Sequence, residues 1–176
     1  MALPDYIKRD LGTAIIWGEA GATGVTHTLS LDGLANGVAR MGVYADLGAT
    51  WDIEYAVALV IETGTAPNAG NRVDLYMACS FDGSNFPGGV TGADGAWPGD
   101  SNEDEWAVQL ERVCSLIATN DATTVQRQAP VIWKPSARYV APVVDNNLGK
   151  AIRDEETATD NDSRVIMYPL RTIIAD

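Results

Sequence analysis

Histidine, cysteine and clustered basic charge are what this chain has least of, and each scarcity removes a class of chemistry. The 176 residues include one histidine, which excludes a histidine-rich metal site. His27 lies in the alternating segment 25–29, and no nucleophile-elbow motif or other spacing recruits a nucleophile and an orienting acid to it. The expectation is a packed or surface strand residue. Cys79 and Cys114 both sit inside apolar segments and read as reduced, buried thiols. A disulfide between them stays open if their strands are neighbours.

None of the 12 Lys and Arg residues forms a cluster, and against 24 Asp and Glu they leave a net charge of −12. That balance speaks against nucleic acid as a partner and implies a basic docking surface or a cation as the complement. No stretch reaches the ~18 apolar residues of a membrane span. Residues 1–11 carry Lys8 and Arg9 without the apolar run of a signal peptide behind them. The expectation is synthesis in the cytosol with no membrane partner.

Helical patterning is missing too. The 17 Gly and 8 Pro fall at intervals that suit short strands and turns. Amphipathic helices of the kind an α/β fold needs between its strands do not occur, and neither does a fixed-period repeat. The composition, 46% hydrophobic and 20% charged, is globular, and the length suits one core.

What the sequence does have is alternation. Over residues 50–63, Trp51, Ile53, Tyr55, Val57, Leu59 and Ile61 share one face, against Asp52, Glu54, Ala56, Ala58, Val60 and Glu62. Residues 72–81 repeat the pattern with Val73, Leu75, Met77, Cys79 and Phe81. The turn-rich connection 64–71 between the two runs suggests a long β-hairpin. A third strand is expected from Trp106, with its phase blurred at Arg112, Val113 and Cys114 by a β-bulge or a change of sheet.

Shorter candidates are 13–18, 25–30, 38–45, 123–128, 131–134, 138–144 and 164–174. Roughly eight to ten strands separated by turn signals indicate an all-β antiparallel sandwich or jelly roll with long loops. Residues 13–176 read as that single domain, and 1–12 as an extended N-terminal arm. Two connections stand out. Residues 82–105 (DGSNFPGGVTGADGAWPGDSNEDE) are too long and Gly-rich for a tight hairpin, and Phe86 and Trp97 are expected to tie them down onto this protein or a neighbour. Residues 154–163 (DEETATDNDS) read as a solvated loop.

The residues offer three site candidates. Asp100, Asn102, Asp104 and Glu111 occupy positions one, three, five and twelve of a calcium-loop pattern. Glu105 stands where that loop needs Gly, and a strand pattern comes next where a helix should, so an acidic surface loop is the expected role and no metal or cofactor is assigned. Asp160 and Asp162 rate no higher. Asp52 and Glu54 lie side by side on one strand face. A hydrolase needs two carboxylates facing each other across a cleft, so a solvated strand end is expected here. Trp97, beside Pro98, is the leading aromatic for contact with a partner or a sugar, with packing beneath its own loop as the alternative. Trp17, Trp51, Trp106 and Trp133 fall in strand patterns that favour the core.

The runs 81–97 (FDGSNFPGGVTGADGAW), 115–128 (SLIATNDATTVQRQ) and 137–146 (ARYVAPVVDN) together resemble a group of tailed-bacteriophage virion proteins, over most of 57–146. The shared motifs are turns and strand edges without chemistry. The resemblance implies a non-enzymatic capsid decoration or cement protein, located in the virion and bound to the major capsid protein lattice, or less readily a tail component. Symmetric lattice positions suggest a homo-oligomer, with a trimer as the expected form. The contact candidates are then Tyr6, Ile7, Lys8 and Arg9 in the arm, and Phe86 and Trp97 in the loop. The alternative functions are a glycan-binding module of a tail or fibre, with coplanar exposed aromatics, and a hydrolase with converging carboxylates.

Overall fold

The computed structural model describes residues 6–99, 107–121, 125–153 and 163–175, and of residues 6–9 and 172–175 the backbone alone. Alternation becomes two sheets. In the first, β6 (Tyr55–Ile61) is the centre, with β10 (Gln126–Arg127) and β11 (Val131–Trp133) on one edge and β13 (Arg164–Ala175) on the other. Next to β13 come β2 (Ile15–Gly18) and β3 (His27–Thr28), while β1 (Tyr6–Leu11) pairs with the far half of β13. In the second sheet, β12 (Tyr139–Asn147) and β7 (Arg72–Ser80) lie side by side. They are flanked by β9 (Glu111–Ile117) beyond β7, and by β4 (Val38–Met41), β5 (Ala45–Asp46) and β8 (Gly95–Ala96) beyond β12. Among the described residues every pairing is antiparallel except β2 with β3. The chain is an all-β, mostly antiparallel β-sandwich.

The core is the space between the sheets. Trp17, Tyr55, Val57, Leu59, Ile61 and Val165 of the first sheet meet Val73, Leu75, Met77, Val140 and Val144 of the second, all at most 3% exposed. Alternation has turned every second residue of β6 inward, as the period-two pattern requires. At one end, the fully buried Asn146 ties loops to the sandwich. Its Nδ2 donates to the Leu34 and Lys150 carbonyls at 2.8 and 2.9 Å, and its Oδ1 accepts from the Leu148 amide.

Three expectations need correction. The runs around β6 and β7 do not form a hairpin, because the chain crosses from one sheet to the other between them. The apolar faces of both runs point into the same core, which opposed sheets satisfy and paired neighbours in one sheet do not need. The strand at 50–63 begins only at Tyr55, since Trp51 and Ile53 are 37% and 77% exposed. The third long strand begins at Glu111, and residues 107–109 are a 3-10 turn; Trp106 lies outside the described residues. The blurred phase is a bulge: Cys114 pairs with Leu75 and Arg112 with Tyr76, leaving Val113 as the extra residue.

Residues 6–11 form a regular antiparallel ladder with 170–175, Leu11 opposite Leu170 and Tyr6 opposite Ala175. Within this span the two ends of the chain make a two-stranded ribbon continuing the first sheet.

Candidate docking face

Each sheet has an outward side, and the two are built very differently. On the second sheet, Ala39, Met41, Ala78, Ala141 and Val143 point outward and are apolar, yet none is more than 6% exposed. The cover is the long connection after β7. It leaves the strand by a tight turn in which Asp82 accepts from the Ser84 and Asn85 amides at 2.8 Å each, and Gly83 adopts φ +74°. The Asn85 amide and its neighbouring donors hold the Asp82 carboxyl far below the usual carboxylate range. The connection then crosses the sheet, and Val90, Trp97 and Leu110 press onto the apolar residues beneath.

Trp97 is the keystone of this cover and is 2% exposed. Its Nε1 donates to the Gly88 carbonyl at 2.7 Å, and Gly99 lies so close to its ring that a Cβ there would stand 2.3 Å from it. Arg40 and Asp94 fasten one side with two hydrogen bonds of 3.0 and 2.6 Å, and the Ser30 amide also donates to Asp94. Trp97 therefore packs beneath its own loop and is not offered to a partner. Phe86 is half-buried at the margin of the same cluster, tilted 37° to Tyr44.

Beside the cover, Asp74 is buried on the outward side of β7. Burial alone would raise its pKa, but hydrogen bonds from Ser115, from Arg112 at 2.5 Å and from Arg72 at 2.7 Å outweigh it and hold the carboxyl below its ordinary value.

The outward side of the first sheet has no such cover among the described residues. Register places Ile132, Ala56 and Tyr168 in one row across three strands, and Ala58, Ile166 and Ile16 in the next. A third row is Arg127, Val60 and Arg164. Ile132 is 55% exposed and Tyr168 37%.

Within this face lies a groove of about 470 Å³. Two alanines on the central strand, between larger neighbours, make its floor low. Its far wall is the connection Gln128, Ala129 and Pro130, where the edge strand is interrupted. Pro130 has no N–H to donate to β6, so β10 and β11 stay two short pieces. Arg127 and Arg164 close one end, their stems covering Val60, which is 3% exposed. The lining contains no acid, and Arg164 Nε is buried without a hydrogen-bond partner. The overall net charge implies a basic complement, but among the described residues the two charged side chains that line this groove are both basic.

The remaining candidates do not converge. Asp52 pairs with Arg171 and Glu54 with Lys134, each at 3.3 Å, as surface ion pairs. His27 packs 5.7 Å from the Trp17 ring, its Nδ1 2.9 Å from Thr26 Oγ1, and partial burial lowers its pKa. Glu111 accepts from Trp133 Nε1 at 2.9 Å and from Ser136. Its calcium-loop companions Asp100, Asn102 and Asp104 lie outside the described residues, as do Asp160 and Asp162. No group of metal-ligating side chains occurs among the described residues. Cys79 and Cys114 are free thiols. Cys114 stands opposite Leu75, four residues along β7 from Cys79, about 13 Å at strand rise, too far for a bond. Tyr6, Ile7, Lys8 and Arg9 lie in β1, described by backbone only.

The groove was not anticipated from the sequence. Its signal was the small outward pair Ala56 and Ala58 on the most regular strand, together with Pro130 on its neighbour. No protein-family model matches this chain, and no curated protein matches its sequence.

Proposed function

We propose that this chain is a non-enzymatic virion structural protein that decorates or cements a phage capsid by binding the major capsid protein lattice, through the outward face of its first sheet. The observation carrying this reading is an apolar face that no described residue covers: three strands contribute Ile132, Ala56, Tyr168, Ala58 and Ile166 to one surface, in a protein that buries the equivalent face of its other sheet under a dedicated loop. Contiguous apolar surface of this kind marks an interaction site. The two-sheet body and the ribbon of β1 with the far half of β13 suit a part held in a repeating lattice, where modest contacts add up through multivalency. Self-association as a trimer belongs to the same proposal, through surfaces other than this groove and once the lattice offsets the repulsion between copies of net charge −12.

Counting copies in purified particles tests it. Stoichiometric occupancy of the shell is expected; a few copies per particle would make it a tail component, and absence from particles would end the reading. The glycan-binding alternative loses its leading platform with Trp97 buried. The partly exposed rings near it are not coplanar either, with Tyr44 and Tyr139 at 80°.

A further inference from the structure

We infer that the groove on the first sheet seats an apolar segment of the partner protein that carries one carboxylate, with the carboxylate at the Arg127 and Arg164 end. The inference rests on the docking role proposed above and adds the chemistry of what docks. Shape gives the apolar part. Ala56 and Ala58 leave a hollow between Ile166 and Tyr168 on one side and the interrupted edge at Pro130 on the other. At about 470 Å³ the hollow has room for bulky apolar side chains.

Charge gives the other part. Arg127 and Arg164 flank Val60 on adjacent strands, and among the described residues neither makes an ion pair or a side-chain hydrogen bond. Both line the groove from the strands on either side of β6, and two guanidinium groups at one end suit a carboxylate better than a neutral carbonyl. Arginines on the second sheet and its loops already have theirs: Arg40 with Asp94, Arg138 with Asp46, and Arg112 and Arg72 with Asp74. A second copy is a poorer occupant, since the chain carries a net charge of −12 and copies repel.

The test uses the full-length protein and two synthetic peptides, acetyl-Ser-Leu-Val-Leu-Asp-Ser-amide and the same peptide with Asn for Asp. Amide and arginine side-chain resonances are monitored by NMR titration. The acidic peptide should bind roughly tenfold more tightly than its neutral twin, shifting the Ala58 and Ile166 amides and the Arg164 Nε–H signal. Arg164→Gln should remove the difference between the peptides. Ala58→Trp, which fills the hollow, should remove binding of both, and Ile166→Glu provides a second blockade should the first variant fail to fold. Equal affinity for the two peptides, shifts elsewhere on the surface, or undiminished binding by both blocked variants would overturn the inference. Concentration-dependent self-association through these same residues would overturn it in favour of a second copy. The two proposals fail separately: particles that bind Arg164→Gln as well as wild type refute the carboxylate and leave decoration standing. Peptide binding by a protein absent from particles does the reverse.

Discussion

The outward faces of the two sheets make the instructive comparison. Both carry apolar residues at alternate strand positions, yet Val143 on the second sheet is fully buried while Ile132 on the first is more than half exposed. Part of the difference is position, since Ile132 lies on the edge piece β11 and Val143 on the inner strand β12. The rest lies in the connection that leaves β7, which is glycine-rich, crosses the sheet, and is held there by Trp97 and the Arg40–Asp94 pair. The first sheet has no equivalent among the described residues, so its alanines remain a hollow where the second sheet's are a floor under Trp97. An apolar strand face alone therefore does not reveal whether it is core or docking surface; the length and aromatic content of the neighbouring loop decide.

The largest expected effect comes from removing the cover. Trp97→Ala deletes a buried ring and its hydrogen bond to Gly88, and should destabilise the fold by about 3–5 kcal/mol, read as a lower denaturant midpoint with new apolar dye binding. A loss under ~1 kcal/mol would mean the loop is a lid of little consequence, and the contrast between the faces would dissolve. Gly99→Ala approaches the same result from the other side, because its Cβ would meet the ring.

Next in size is the charge cluster beside the cover. Asp74→Ala removes charge-assisted hydrogen bonds from Arg72, Arg112 and Ser115 and should cost ~1.5–3 kcal/mol near neutral pH. Its pH signature is a matter of sign. A carboxyl held below its ordinary value of 3.8 binds protons more weakly folded than unfolded, so its stabilisation is complete above that value and is lost as pH falls through the folded pKa. Asp94, where burial is likewise outweighed by hydrogen bonds from Arg40 and Ser30, acts the same way. Wild type should therefore lose stability steeply below about pH 4, and Asp74→Ala less steeply. His27 adds a shallower decline that begins near its ordinary 6.5, since burial lowers its folded pKa; His27→Gln should flatten that part alone. Parallel unfolding curves for wild type and Asp74→Ala across acid pH would refute the assignment.

Much of this was legible in the residues. Period two identified β6 and β7 because a strand with one face in the core must alternate, bounding turn residues marked β12 and β13, and the blurred phase at Arg112, Val113 and Cys114 marked a bulge or a change of sheet, of which the bulge is found. The sheet assignment was not legible: inward faces at Val57 and Leu75 look the same whether their strands pair or oppose across a core. Trp51 and Ile53 continued the alternation past the true strand start, where no partner strand pairs with them. Trp97 could be read two ways because a loop aromatic serves its own fold or a neighbour with the same composition. The groove escaped notice because it is made by what is absent, namely side-chain volume at Ala56 and Ala58 and an N–H at Pro130.

The smallest effect is the sharpest test of the comparison, since it places a threonine on each face. Val143→Thr introduces a hydroxyl beneath the cover, where the space is apolar, and should cost ~1–3 kcal/mol. Ile132→Thr keeps the β-branch and meets solvent, so its cost should stay within ~0.5 kcal/mol. If the docking reading is right, the order reverses in the assembled particle: Ile132→Thr should weaken attachment by an amount that its solution stability does not foretell, while Val143→Thr, once folded, should attach like wild type. Equal costs for the two substitutions in solution would show that the first sheet is covered after all, and that the apolar face is a second core.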